Sequence, residues 1–324
     1  MFVAPIAVSF FALGAMYWWG GPAAFALAAA LAVLEVTLSF DNAVVNAKVL
    51  ARMTPNWQQR FLTWGMLISV LGVRLILPIL IVSATAIASP ITITVLAFAN
   101  PAAYAALVAS AGPAIESFGG VFLLLVALTY FFDTRKSVHW LRHIERRLVI
   151  WGQVESIELA LALAALFALA LLSGRTLVVF EAGIIGVILF VLVRGLSDAL
   201  GAETRFTRAG AALFAYVSVL DAALSLDGVA AAFAITVALP IIVVGLGIGA
   251  YFVRTLTLAM VRGRALERFV YIEHGAHWAI FALACCMLAS LLTPVPQWLT
   301  AIIGLFFIVF ASVSSRREEV RVAS

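Results

Sequence analysis

The chain of 324 residues is 65% hydrophobic and only 11% charged, with a mean hydropathy of +1.15. A soluble domain carries about 25% charge, so the composition excludes a water-soluble globular protein and implies an integral membrane protein embedded over nearly its whole length. The net charge of +4 does not point to nucleic acid, because the basic residues sit in short loops between apolar runs, where they set topology.

About 20 apolar residues cross a bilayer as a helix. By that measure the first stretch, "MFVAPIAVSFFALGAMYWWGG", predicts a span over 2–20. It lacks a basic leader and reads as a retained span rather than a cleaved signal peptide. Further spans are expected over 22–50 and 61–86. The apolar segment 88–116 is interrupted by Pro90, Pro101 and Pro113, and reads as a re-entrant or interfacial piece, or as an eleventh span. Next come a span over 117–134, a basic loop over 134–150 and a span over 154–173. The remaining spans are expected over 176–195, 209–238, 240–261, 269–292 and 297–314. Cys285 and Cys286 are adjacent in an apolar run and suit packing better than a disulfide or a zinc site.

Basic residues cluster at Lys48, Arg52 and Arg60, in Arg135–Arg147, at Arg194, Arg205 and Arg208, at Arg262, Arg264 and Arg268, and at Arg316, Arg317 and Arg321. Ten spans with both termini inside put every cluster in the cytoplasm and leave only Arg175 outside. The expected location is a bacterial inner membrane.

An internal repeat organises the chain. "LEVTLSFDNAVVNA" at 34–47 resembles "LDAALSLDGVAAAF" at 220–233. Leu34, Leu38, Ser39 and Asp41 match Leu220, Leu224, Ser225 and Asp227, and Glu35 matches Asp221. Each copy is followed by a span containing an arginine, Arg74 or Arg254. With five spans per half the copies run in opposite directions. The expected fold is therefore an all-α polytopic membrane protein of about ten transmembrane helices in two inverted repeats, 1–173 and 174–324. Inverted repeats with polar helices at the midplane mark transporters.

On a regular helix Glu35, Ser39, Asn42 and Asn46 form one polar stripe, as do Asp221, Ser225 and Gly228 in the second copy. Asp41 and Asp227 each fall six residues after an acid, about 120° around an ideal helix. Aiming both acids of a copy at one point predicts that one or both helices unwind near these "DN" and "DG" pairs. Carboxylates, amides and freed carbonyls make an oxygen-rich site suited to magnesium, calcium or manganese. Arg74 and Arg254 would balance the acids when the site is empty, since unpaired buried charge is costly. The acids could instead carry protons, or simply lock helices through acid–arginine pairs.

Other polar residues carry weaker signals. Glu273 and His277 share a helix face in "YIEHGAHWAI" and read as a proton relay or an inner gate, or as an interfacial hydrogen bond. His139 and His143 have metal-binding spacing, but their basic surroundings and Trp140 read better as an interfacial helix touching anionic lipid. Glu155 and Glu158 suit a helix N-terminus, with an entry funnel for cations as the alternative. Asp133 reads as a local pair with Arg135, and Glu181 as an outer vestibule acid or a headgroup contact.

"LEVTLSFDNAVVNAKVL" followed by "GVRLILP", and later "LSLDGVAAAFAIT" with an arginine-bearing span, resembles the TerC-like integral membrane proteins over about residues 30–312. That family is associated with tellurite resistance and manganese export. The resemblance implies metal ligands at Glu35, Asp41, Asn42, Asp221 and Asp227. Two departures stand out: the second copy carries Gly228 and Ala232 where the first has Asn42 and Asn46, and segment 88–116 has no clear counterpart.

The expected function is export of a divalent cation, Mn2+ first, through a site built from these five residues. Ser39, Ser225 and Asn46 would be additional oxygen donors, and Arg74, Arg254, Glu273 and His277 accessory groups. No cofactor, enzymatic activity or nucleic-acid partner is expected. The alternatives are a non-transporting membrane partner in metal or tellurite stress resistance and, less favoured, an intramembrane aspartyl protease with Asp41 and Asp227 as its dyad.

Overall fold

The computed structural model describes residues 2–65, 68, 72, 76–134, 136, 138–202, 206–236, 238–263 and 269–323, and every regular element among them is helical. The first helix, α1 (Val3–Leu38), is continuous only in outline. Gly21 within it has φ +71° and ψ −165°, a conformation that glycine alone adopts at no steric cost, and Pro22 follows it. The resulting kink separates the two spans expected at 2–20 and 22–50.

A second, milder turn comes at Ser39 (φ −99°, ψ 16°), after which the chain enters α2 (Phe40–Ala51). Backbone hydrogen bonds from Ser39 N to Glu35 O (2.9 Å) and from Ala43 N to Ser39 O (3.2 Å) carry across it. The helix is bent two residues before Asp41, yet these two carbonyls stay paired. The second copy lies in α11 (Phe206–Ile235), which passes through Asp227 without a break. The unwinding expected there is not found. In an apolar environment only the helix itself can satisfy its backbone groups, and that outweighs the turn tendency of Asp-Gly.

After α3 (Pro55–Arg60) and a π-helical turn (Phe61–Gly65) come α4 (Leu77–Thr85), α5 (Pro90–Ala99), α6 (Pro101–Ser110) and α7 (Gly112–Phe131). The prolines of 88–116 start helices here. Pro90 and Pro101 occupy first-turn positions, where the missing N–H costs nothing. Ser89 Oγ accepts from Thr92 N and Asn100 Oδ1 from Ala103 N, both at 3.1 Å, as N-caps. The chain bends by 115° between Ile79–Thr85 and Pro90–Ala99. These short helices share a cluster that includes Ile79, Val82, Ile93, Tyr104 and Leu239.

The remaining helices are α8 (Arg142–Trp151), α9 (Ile157–Leu172), α10 (Thr176–Ala202), α11, α12 (Leu239–Arg262), α13 (Ile272–Ser290) and α14 (Gln297–Ala323). Among the described residues five helices are long and apolar enough to cross a membrane, or six if the bent pair counts as one span. By length and composition these helices suit a membrane protein. The ten spans expected are not shown among the described residues: α1 counts once despite its kink, α2 has 12 residues and α9 has 16, and 66–67, 69–71 and 73–75 lie outside the described residues.

The buried centre is α7, which packs against α10 on one side and α13 on the other. Phe122, Leu123, Leu125 and Phe131 of α7 join Leu166, Leu220, Ile280 and Met287 in a core drawn from both halves of the chain. The other long contact runs between α1 and α12. A Cβ added at Gly245 would lie 2.6 Å from Leu31 Cβ and 2.9 Å from Ala28 O, so the absence of a side chain lets these backbones meet. Gly245 and Gly249 form the small-xxx-small stripe that close helix packing in a membrane requires.

Candidate functional site

The tight α1–α12 crossing fixes the place of Glu35. Its side chain enters a notch made by two glycines of the second half. A Cβ at Gly228 on α11 would lie 2.7 Å from Glu35 Oε2, and one at Gly249 on α12 would collide with Glu35 Cβ. Gly228 is the position where the second copy departs from Asn42 of the first, and any side chain there would drive into Glu35. Ser39 Oγ donates to Glu35 Oε1 at 2.9 Å.

About two turns beyond Ser39, Asn46 Nδ2 of α2 donates to Asp221 Oδ1 on α11 at 3.3 Å. The other oxygen, Asp221 Oδ2, accepts from Arg254 Nη2 on α12 at 2.7 Å. Arg254 is anchored at two further points: Nη1 donates to Phe61 O at 3.1 Å, and the guanidinium lies 4.3 Å over the Phe61 ring. Glu35, Ser39, Asn42, Asn46, Asp221, Ser225 and Arg254 are each no more than 5% exposed. The two sequence-related stretches thus face each other in one buried polar region. Within it Asn46 Oδ1 and Ser225 Oγ are buried and accept or donate no hydrogen bond among the described residues.

The side chains of Asp41 and Asp227, and Arg74 altogether, lie outside the described residues. Among the described residues no group of three or more His, Cys, Asp or Glu could hold a metal ion. The described groups are carboxylate, amide and hydroxyl oxygens, the donor set of hard cations.

Glu273 and His277 sit at the end of the bundle that carries the basic clusters. Glu273 forms an ion pair with Lys48 of α2. His277 Nδ1 donates to the Glu273 backbone carbonyl at 2.8 Å, so the two meet through the main chain and not through the carboxylate. The His277 ring stacks on Tyr130 at 3.6 Å, with 8° between the planes.

Beside them lies a centre that sequence reasoning missed. Glu145, on the short helix α8, is fully buried. His274 Nδ1 of α13 lies 3.0 and 3.2 Å from its two oxygens, and Trp278 Nε1 donates at 3.2 Å. Lys136 Nζ lies 3.1 Å away, and the Trp140 amide donates at 3.2 Å. Burial works to raise the Glu145 carboxyl. The hydrogen bond and charge of His274, aided by Lys136, overcome that and hold it at about 2. Burial lowers Lys136, with Glu145 opposing. His139 is 3.7 Å from Glu145 while His143 is exposed, so this histidine pair does not converge. The only available signal was an acid inside the basic run "RHIERRL", which reads equally well as local charge balance.

A cavity of about 650 Å³ opens at the same end, lined among others by Lys48, Arg52, Arg194, Glu155, Glu158 and His277. Arg194 Nη1 pairs with Glu158 at 2.8 Å. Asp133 also lines it, whereas its expected partner Arg135 lies outside the described residues. Glu181 is exposed on α10, and Cys285 is exposed on α13.

No curated protein and no solved structure matches the chain. A family model does match, over residues 40–322, which takes in α2 of the first motif and the whole of the second. The chain belongs to the family described as "Protein of unknown function (DUF475)".

Proposed function

We propose that this protein is a transporter that moves a divalent metal cation, with Mn2+ as the first candidate, out of the cytoplasm. The ion would bind where the two motifs meet. The observation that carries this reading is the insertion of Glu35 against Gly228 together with the Asn46–Asp221 hydrogen bond, each of which joins one copy of the repeated stretch to the other. Buried ionisable groups in membrane helices are expensive and usually serve a pathway.

In this reading Glu35, Asp41, Asn42, Asp221 and Asp227 bind the ion, and Ser39, Ser225 and Asn46 complete its oxygen shell. Arg254 balances Asp221 while no ion is bound. Its second anchor on Phe61 lets the guanidinium stay in place when a cation takes over the carboxylate. Arg74 would be its first-half counterpart. The cavity flanks α2 and α11, the helices that carry motif residues, and serves as the entry from the cytoplasm. Glu273, His277 and Lys48 form the inner gate. Ten spans in two inverted halves, 1–173 and 174–324, with both termini in the cytoplasm of a bacterial cell, belong to the same proposal, as do the likeness to TerC-like proteins and the absence of enzymatic chemistry.

One observation favours a second reading. The Asp221–Arg254–Phe61 chain ties three elements together and would serve equally in a non-transporting membrane partner. Flux of Mn2+ into proteoliposomes separates the two. The transporter carries Mn2+, and Asp41→Asn and Asp227→Asn abolish flux while the protein stays folded. No flux of Mn2+, Ca2+ or Mg2+ through folded wild-type protein would exclude transport of these ions.

A further inference from the structure

Helix α8 is amphipathic in an unusual sense: its single acid points inward and all its cations point out. Glu145 is fully buried against His274, Trp278 and Lys136. Arg142, His143, Arg146 and Arg147 are exposed, as are Ile144, Ile150 and Trp151. A shallow groove of about 410 Å³ is lined by His143, Ile144, Arg147, Leu148 and Trp151, which gives an apolar floor a cationic rim.

We propose that α8 is a docking surface for anionic phospholipid headgroups, held cationic face outward by the buried Glu145. Charge complementarity carries the argument. Were Glu145 at the surface it would cancel one of the arginines. Folded inward and neutralised there, it leaves the outer face uniformly positive and pins the helix against α13. The surroundings fix the occupant as lipid. After a short turn the chain continues into α9, where Phe167, Leu171 and Leu172 are exposed as a bilayer-facing surface would be. On the other side Trp140, just before α8, packs at 5.4 Å on Phe310 of α14, whose Phe306, Val309 and Val313 are likewise exposed. Exposed Arg316 and Arg317 continue the cationic level beyond them. An apolar belt topped by arginines and a tryptophan matches the chemistry of a membrane boundary with negative headgroups. The inference rests on the protein being membrane-embedded and is independent of any transport.

The test uses the full-length protein in detergent micelles, titrated with brominated phosphatidylglycerol or brominated phosphatidylcholine. Quenching of Trp151 is taken as the difference between wild type and Trp151→Phe. The expected result is a preference for phosphatidylglycerol on the order of tenfold, falling below about twofold in Arg142→Gln/Arg146→Gln/Arg147→Gln, because each basic residue near an anionic surface contributes severalfold. Raised salt should weaken the preference by screening. These arginines are exposed, so the triple variant should fold. Equal quenching by the two lipids in wild type would overturn the proposal and leave the cationic face to a soluble acidic partner. A preference unchanged in the triple variant would overturn it as well.

Discussion

Asp221 and Glu145 are both buried carboxylates held by cations, but their settings differ. Asp221 lies within a long helix and is met by one guanidinium from the neighbouring α12 and one amide from α2. Glu145 lies on a ten-residue helix at the basic end and gathers an imidazole, an indole, an ammonium and main-chain amides. The first centre ties α2, α11 and α12 together, and the second fastens the short helix α8 to α13. Disturbing the first should therefore loosen the bundle, whereas disturbing the second should loosen a single element.

The largest expected effect is at Asp221. Asp221→Leu removes the buried carboxylate that accepts from Arg254 Nη2 and should cost about 3–5 kcal/mol. The double variant Asp221→Leu/Arg254→Met should recover much of that loss. Unfolding in mixed detergent reads both, and equal losses in single and double variants would show that the pair is not the determinant. Next comes Gly249→Ala, whose methyl would press on Glu35 and force α1 off α12 at a cost of about 1–3 kcal/mol. Gly14→Ala is the control, because nothing lies within 4 Å of a Cβ there. That change should stay within about 0.5 kcal/mol.

At the second centre, Glu145→Gln removes the charge but keeps the shape. Amide hydrogen exchange over Arg142–Trp151 should speed up while α7 and α12 stay protected. Acceleration throughout the bundle would erase the distinction between the two centres. The smallest effect is on pH. The Glu145 carboxyl is depressed from 4.5 to about 2, with Lys136, His139 and His274 facing it. A depressed carboxyl stabilises the folded form fully above its unfolded value and loses that contribution as pH falls through its folded one. Docking of α8 should be unaffected by pH down to about 4.5 and weaken towards pH 2, and Glu145→Gln should flatten the profile.

The contrast also explains what the sequence disclosed. The helical class followed from composition, and the boundary expected between spans 2–20 and 22–50 coincides with the kink at Gly21. Glu35, Asn46, Asp221 and Arg254 drew attention because a charge or amide in an apolar run is costly, and because the run recurs. The prolines of 88–116 divide the apolar run as expected, and they do so by starting new helices, with Ser89 and Asn100 as caps. The turn expected at Asp227 failed because backbone hydrogen bonds in an apolar interior outweigh a dipeptide preference. Glu145 stayed hidden because its imidazole and indole partners lie 129 and 133 residues away, and nothing local distinguishes an acid that folds inward from one that neutralises its neighbours. Gly249 was equally silent, since its role exists only once α1 lies across it.

The central claim is that the two motifs form one cation site. Mn2+ binding by purified protein, followed by the electron paramagnetic resonance of the free ion, tests it most directly in wild type, Glu35→Gln, Asp227→Asn and the double variant. The account predicts that either single substitution removes the same high-affinity ion and that the double variant loses no more. Undiminished binding in both single variants, or two separate ions lost independently, would contradict it.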